Sequence, residues 1–208
     1  MRNSITNEII HVPWNRGRIM GQKPPLKRSE IWAIRIRLQL AGQVRNLALF
    51  NLAIDSKLRA CDLVRLRVRD VAQGCQIASR ANVMQRKTKR PVQFEITDQS
   101  QIAVSNLLTS NKLEPQDFLF GSRRKSSAHI STRQYAKLLK DWVAAIRLDP
   151  HSYGTHSLRR TKATLIYRRT KIIRAVQLLL GHSKLESTVR YLGIELDDAL
   201  EIAEKTEI

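Results

Sequence analysis

Apolar residues recur at helical spacing through most of the chain, and one short stretch breaks the rhythm. Ile31, Ile34, Leu38 and Ala41 share a face of a helix that Ser29 can cap and Gly42 ends. Residues 44–56 are apolar on most sides (Val44, Leu47, Ala48, Leu49, Phe50, Leu52, Ile54), which predicts a central buried helix. A short helix around Asp62–Leu66 comes next. Residues 77–84 and 91–96 are then rich in β-branched residues and flank the polar, basic Gln85–Arg90, the pattern of two antiparallel strands joined by a charged tip. Helices resume at about 98–110 and at 133–147, where Tyr135, Leu138, Leu139, Trp142, Val143 and Ile146 line one face. Three more helical segments lie near 156–169, 172–180 and 185–192. The expected fold class is mainly α with a small antiparallel β-sheet (α+β).

The two ends differ from this middle. Residues 1–25 hold Pro13, Pro24 and Pro25, the turn-like Asn15-Arg16-Gly17-Arg18 and no sustained periodicity, so they read as irregular, either a loosely ordered leader or a basic arm lying along a DNA groove. Residues 193–208 carry six acids (Glu195, Asp197, Asp198, Glu201, Glu204, Glu207) against one base, Lys205, with Leu196, Ala199, Leu200 and Ala203 on one stripe. An acidic C-terminal helix is expected there, able to dock on its own domain or on a neighbouring copy. The domain reading is therefore an arm, 1–25, a central domain, 26–192, and the docking segment, 193–208.

Charge narrows the partners. The 208 residues include 37 Lys and Arg against 18 Asp and Glu, a formal charge of +19, and the tail's −5 leaves +24 on the rest. That excess attracts a polyanion, and nucleic acid is the expected partner. A membrane surface is disfavoured because the charge is spread along the chain, not gathered in one amphipathic basic helix, and no apolar run approaches a membrane span. Cys61 and Cys75 have no zinc-like spacing and fit a reducing cytoplasm, and no signal pattern opens the chain. The expected location is cytoplasmic and nucleoid-associated.

Several residues suggest phosphate chemistry. His156 and Arg159 fall one turn apart near a predicted helix N-terminus, where both can grip an anion, though such a pair is commonplace on helices. Gly181 can end a helix in a left-handed cap and set His182 just beyond it, nine residues before Tyr191. A phenol, with a pKa near ~10, becomes a nucleophile only with a base or cations beside it. Arg59 comes just after the buried helix and can pair with a second arginine on one phosphate, with Asp62 one turn on to orient it. Lys87, on the tip Gln85-Arg86-Lys87-Thr88-Lys89-Arg90, can serve as a general acid if it reaches a cleft.

Taken in chain order, arginine, hairpin lysine, His-x-x-Arg, Gly-His and tyrosine, the sequence resembles the tyrosine recombinase (phage-type integrase) family over roughly residues 26–206. The segments GTHSLRR at 154–160, LLLGH at 178–182 and STVRYLG at 187–193 carry the resemblance most specifically. It implies Arg59, His156, Arg159 and His182 around a scissile DNA phosphate, Tyr191 as nucleophile, Lys87 as general acid with Lys89 as its alternate, and Asp62 in support. It implies no cofactor and no metal, double-stranded DNA as substrate, and a homo-oligomer, a tetramer when two sites are paired. Two departures stand out: Lys57 where the family often has Gly, and Arg160 where it often has His. The family's usual N-terminal core-binding domain has no counterpart in residues 1–25, so a catalytic-domain-only form is expected, with an accessory DNA-binding protein as one way to complete the clamp. Two other functions share the pattern: a nicking-closing enzyme of topoisomerase type, and a DNA-binding regulator that keeps the fold without the reaction.

Overall fold

In the computed structural model, residues 22–74, 76–122 and 127–193 are described, together with Glu204. The expected arm before Gln22 and the expected acidic helix after Gly193 lie outside these residues, Glu204 apart. Helix α1 spans Arg28–Leu40 and α2 Val44–Ser56; short α3 (Ala60–Leu63) and α4 (Val68–Val71) come after them. A small pair, β1 (Ala72–Gln73) and β2 (Gln76–Ile77), precedes the hairpin of β3 (Arg80–Met84) and β4 (Pro91–Glu95). The chain continues through α5 (Asp98–Asn111), α6 (Thr132–Ala145), α7 (Thr155–Thr170), α8 (Ile173–Leu180) and α9 (Leu185–Leu192). Among the described residues no helix is long and apolar enough to cross a membrane.

The pattern of apolar positions places these elements well. Helix α2 is the axis of the core: every residue from Ala48 to Ser56 is buried, and α1, α5 and α7 pack on it. Phe50 meets Trp142 of α6 edge-on, ring centroids 5.5 Å apart. Along α6, Tyr135, Leu139, Trp142 and Val143 are buried, and Ser131 caps its start by accepting from the Gln134 amide at 3.1 Å. The hairpin pairs antiparallel from Arg80↔Glu95 to Met84↔Pro91, turning its Ala81, Val92 and Phe94 inward. A second, smaller apolar cluster of Ala163, Val176 and Leu180 joins α7, α8 and α9, with Tyr191 and Leu192 packed against it.

The differences from the sequence reading are local. Helix α1 starts one residue before Ser29; its entry is fixed by Glu30, whose carboxylate accepts from the Lys27 amide at 2.7 Å. The helix expected around Asp62–Leu66 is α3, begun at Ala60, and the separate turn α4 succeeds it. The strand expected from residue 77 divides, because Gln76–Ile77 pairs with Ala72–Gln73 and the hairpin begins at Arg80. Elements of two to four residues are too short to show a period.

A buried charge network ties the core to the turn after α2. The Asp55 carboxylate accepts from the amide and hydroxyl of Thr97, from the Ser100 hydroxyl, and from the Lys162 ammonium at 2.8 Å. Lys57, 1% exposed, donates to the Asp55 carbonyl at 2.6 Å and pairs with Glu95 at 3.1 Å, and Lys162 also pairs with Glu95. Burial pushes the Asp55 carboxyl up, but the ammonium and hydroxyl donors win and hold it below its ordinary value. Two ammonium groups against two carboxylates leave the network neutral, as burial requires.

Asp55→Ala should lower the unfolding free energy by about 3 kcal/mol, since it strands part of a buried charge network. Because the folded carboxyl sits below its unfolded value of ~4, the contribution is complete above that pH and disappears only as pH falls through the lower folded value. Urea titrations of both proteins at neutral pH check this; a difference under about 1 kcal/mol contradicts it.

Candidate active site

Helix ends assemble the site. After α2 ends, Lys57 adopts a left-handed conformation (φ 53°) that turns the chain and delivers Arg59 to the start of α3. Glycine adopts this conformation freely; here a lysine does so with its ammonium held by the buried network. Arg59 donates through Nη1 to Gln85 Oε1 at the foot of the hairpin tip. Helix α7 opens at Thr155, so His156 and Arg159 lie one turn apart at its start. Arg159 is 3% exposed, and its Nη2 donates at 2.9 Å to the carbonyl of Leu180, the last residue of α8. Gly181 caps α8 at φ 65°, as expected, and His182 comes next with Nδ1 3.1 Å from Thr188 Oγ1.

Helix α9 then returns Tyr191 to these cations. Its ring meets His182 edge-on, with centroids 5.4 Å apart, and the Cζ atoms of Arg159 and Arg160 lie 6.0 and 5.2 Å from the ring centroid. His156 and Arg160 line a cavity of about 370 Å³ with Tyr191, Arg190, Ser187, Gln22 and Lys23. Arg59, His156, Arg159, His182 and Tyr191, drawn from separate stretches of sequence, thus share one site.

Among the described residues, three expected ones form no side-chain hydrogen bond with this cluster. Lys87 and its alternate Lys89 are exposed on the hairpin tip, and no side-chain bond ties either to the cluster. Lys89 takes a left-handed conformation (φ 53°) and closes the tip with its amide on the Gln85 carbonyl at 2.9 Å. Asp62 does not bond the Arg59 side chain as expected. Its Oδ1 accepts from the Arg86 amide at 3.0 Å, so the carboxylate anchors the tip instead.

The sequence reading missed other participants. Arg160 donates to the carbonyls of Lys23 (2.8 Å) and Tyr191 and to Gln22 Oε1, which binds residues 22–23 and the end of α9 to α7. Gln85, expected on a solvated tip, is 1% exposed. Its signal was its place: the residue that closes the β3 side of the hairpin, in an alternating strand, faces inward.

The electrostatics arise from the crowding of positive groups. Burial raises the Tyr191 phenol to about 12, and the nearby Arg159, Arg160 and Arg59 only partly offset it. Burial, then Arg159 and Arg59, push His182 down to about 4. Burial and the same arginines, joined by Arg160, lower His156. At neutral pH His182 is an uncharged imidazole beside a protonated phenol: a base next to an acid. Among the described residues, the buried side-chain polar atoms with no partner in the protein are Asn46 Oδ1, Asp62 Oδ2, Arg159 Nη1, Arg160 Nε and the Tyr191 hydroxyl. All but the first belong to this neighbourhood. Buried polar groups are otherwise satisfied, so the unused Arg159 Nη1 and Arg160 Nε donors here mark a place for an anionic ligand.

Comparison with known proteins agrees with this geometry. The chain matches the phage integrase family over residues 28–195. It is 32% identical over 153 residues to the probable integrase/recombinase YoeC of Bacillus subtilis, covering 74% of this chain and 80% of that protein. It is 28% identical over 171 residues to the tyrosine recombinase XerC of Caldanaerobacter subterraneus subsp. tengcongensis, covering 79% of this chain but 45% of that protein. The chain therefore spans about half the length of the XerC relatives it matches. Among solved structures, XerA recombinase superposes with a TM-score of 0.70 at 21% identity, over 89% of this chain and 66% of that one. XerH recombinase bound to its difH substrate superposes with a TM-score of 0.67 at 19% identity, over 89% and 56%. With that family match spanning most of its length, and with the arginines, histidines and tyrosine of the sequence motifs gathered in one site, the chain belongs to the phage integrase family of tyrosine recombinases.

Proposed function

We propose that the chain is a site-specific DNA recombinase that cleaves and rejoins strands through a 3′-phosphotyrosyl intermediate. The observation that carries the reading is the buried Tyr191 hydroxyl, set against the Arg159 guanidinium with neither it nor Arg159 Nη1 in a hydrogen bond of ordinary geometry. A DNA phosphate seated there would receive hydrogen bonds from Arg59 and Arg159 on its non-bridging oxygens, which gain charge in the transition state. The Tyr191 oxygen attacks phosphorus, and its proton passes to a neutral imidazole, His182 or His156. The bond from phosphorus to the 5′-oxygen breaks, and Lys87, or Lys89, supplies the proton that makes it a free hydroxyl. A 5′-hydroxyl from another strand reverses these steps, so the phosphoester bond is conserved and neither a nucleotide cofactor nor a metal ion takes part.

Recombination joins two sites, so the working form in this reading is a homo-oligomer on double-stranded DNA, a tetramer at synapsis. Residues 193–208 act as the docking segment between copies, residues 26–192 as the catalytic domain, and residues 1–25 as an arm. An accessory DNA-binding protein can complete the grip, and the protein works in the cytoplasm at the nucleoid.

On a nicked duplex carrying the protein's site, in EDTA, wild type should form a covalent protein–DNA adduct. Tyr191→Phe should form none while binding the same DNA with unchanged affinity, and Arg159→Gln should slow adduct formation by about a hundredfold or more. An adduct with Tyr191→Phe, or one that needs added divalent metal, contradicts the mechanism.

The lowered histidine gives a second expectation. In the DNA-free protein the His182 imidazole should titrate near 4 by NMR, against about 6.5 in an unfolded chain. Between those values the unfolded chain binds the proton and the folded one does not, so DNA-free stability should fall as pH drops through that window. Arg159→Gln should move the midpoint upward; an ordinary midpoint in the unbound wild type contradicts the account.

A further inference from the structure

Arg59 and Arg159 come from different helix ends, yet one side chain lies between their anchors. Gln85 is 1% exposed and stands where β3 passes into the hairpin tip. Its Oε1 accepts from Arg59 Nη1 and from the Thr88 hydroxyl at 2.9 Å. Its Nε2 approaches the Leu180 carbonyl at 3.5 Å, the same oxygen that accepts from Arg159 Nη2 at 2.9 Å. A single amide thus spans both arginines: Arg59 on its acceptor end, and on its donor end the carbonyl that holds Arg159. Through Thr88 it also fastens the turn that carries Lys87, which its backbone closes by pairing with Arg90 and Lys89.

The surroundings are shaped for that amide. Gly181 has φ +65°, and a Cβ there would lie 2.7 Å from Val92 Cγ2 and 3.2 Å from Gln85 Nε2. The glycine therefore serves two ends, a left-handed cap for α8 and room for the glutamine. The chemistry of the residue matters as well. A glutamate could hold Arg59 more tightly, but its charge would neutralise the guanidinium before a phosphate arrived. A neutral amide fixes the arginine and leaves its charge available.

We propose that Gln85 is the positioning residue that sets Arg59 against Arg159; this rests on the strand-transfer reading above. Gln85 acts through the arginines and does not itself touch the reacting atoms. Removing it lets Arg59 swing away from the phosphate without unfolding the core.

The test uses Gln85→Met, similar in length and unable to make these bonds, in single-turnover adduct formation on nicked duplexes. One duplex carries an ordinary phosphodiester at the cleavage position, the other a neutral methylphosphonate. On the phosphodiester the variant should be slower than wild type by about a hundredfold, the scale of a misplaced catalytic group. On the methylphosphonate, where no anionic oxygen pair calls for the arginine clamp, the two proteins should differ by no more than about threefold. Equal rates on the phosphodiester, or the same loss on both duplexes, overturn the proposal, the second result meaning that Gln85 serves only the fold. Wild type forming no adduct on the phosphodiester instead overturns the strand-transfer reading itself. Where Gln85→Met does not fold, Gln85→Asn, which keeps the amide but withdraws it by one methylene, carries the same comparison.

Discussion

The site depends on holding like charges together without neutralising them. Arg59, Arg159 and Arg160 converge on one phenol, and each is anchored by neutral oxygen: the Gln85 amide, the Leu180 carbonyl, and the carbonyls of Lys23 and Tyr191. A carboxylate in any of these places would hold the guanidinium more strongly and compete with phosphate. Asp62, the acid nearest this cluster along the chain, spends one oxygen on the Arg86 amide. The cost of the arrangement is visible in the lowered histidines and in the donors left without partners.

The same molecule treats the buried Lys57 and the half-buried Lys162 in the opposite way. Lys57 and Lys162 are matched against Asp55 and Glu95, and that network is neutral. The two sets are joined, because Lys57 forms the left-handed turn that delivers Arg59, and Lys162 lies on α7 with His156 and Arg159. A satisfied ionic network thus sits behind an unsatisfied one. The core supplies rigidity through α2, and helix termini supply the acceptors, since the last carbonyls of a helix have no partner within it. The Leu180 carbonyl is such a group, and its place at the negative end of the α8 dipole suits a guanidinium.

Much of this was legible in the sequence, for reasons that differ by residue. The long helices showed because α1, α2, α5, α6 and α7 each run for three turns or more and bury part of their length. Gly181 and His182 were readable because a left-handed cap favours glycine and sets the direction of the next residue. His156, Arg159 and Tyr191 are legible as motifs, each confined to a single helix. Lys57 was not legible as a buried group, because lysine is ordinarily a surface residue and its partner Glu95 is distant in sequence. Gln85 was hidden inside a run of charges that reads as solvated, and only the packing of Gly181 and Val92 around it reveals otherwise. Asp62 was assigned to Arg59 by sequence proximity, whereas the fold brings the hairpin tip to it first.

Of the chain's tyrosines, Tyr191 is the one whose buried hydroxyl lies among arginines. Tyr135, by contrast, is sealed in the core, and its hydroxyl is held far above its ordinary pKa by burial alone. Proteolysis of the covalent protein–DNA complex, with mass spectrometry of the nucleotide-bearing peptide, tests this most directly. The nucleotide is expected on Tyr191, linked through its 3′-phosphate. Attachment at Tyr135, Tyr153 or Tyr167, or at a residue that is not tyrosine, would contradict it.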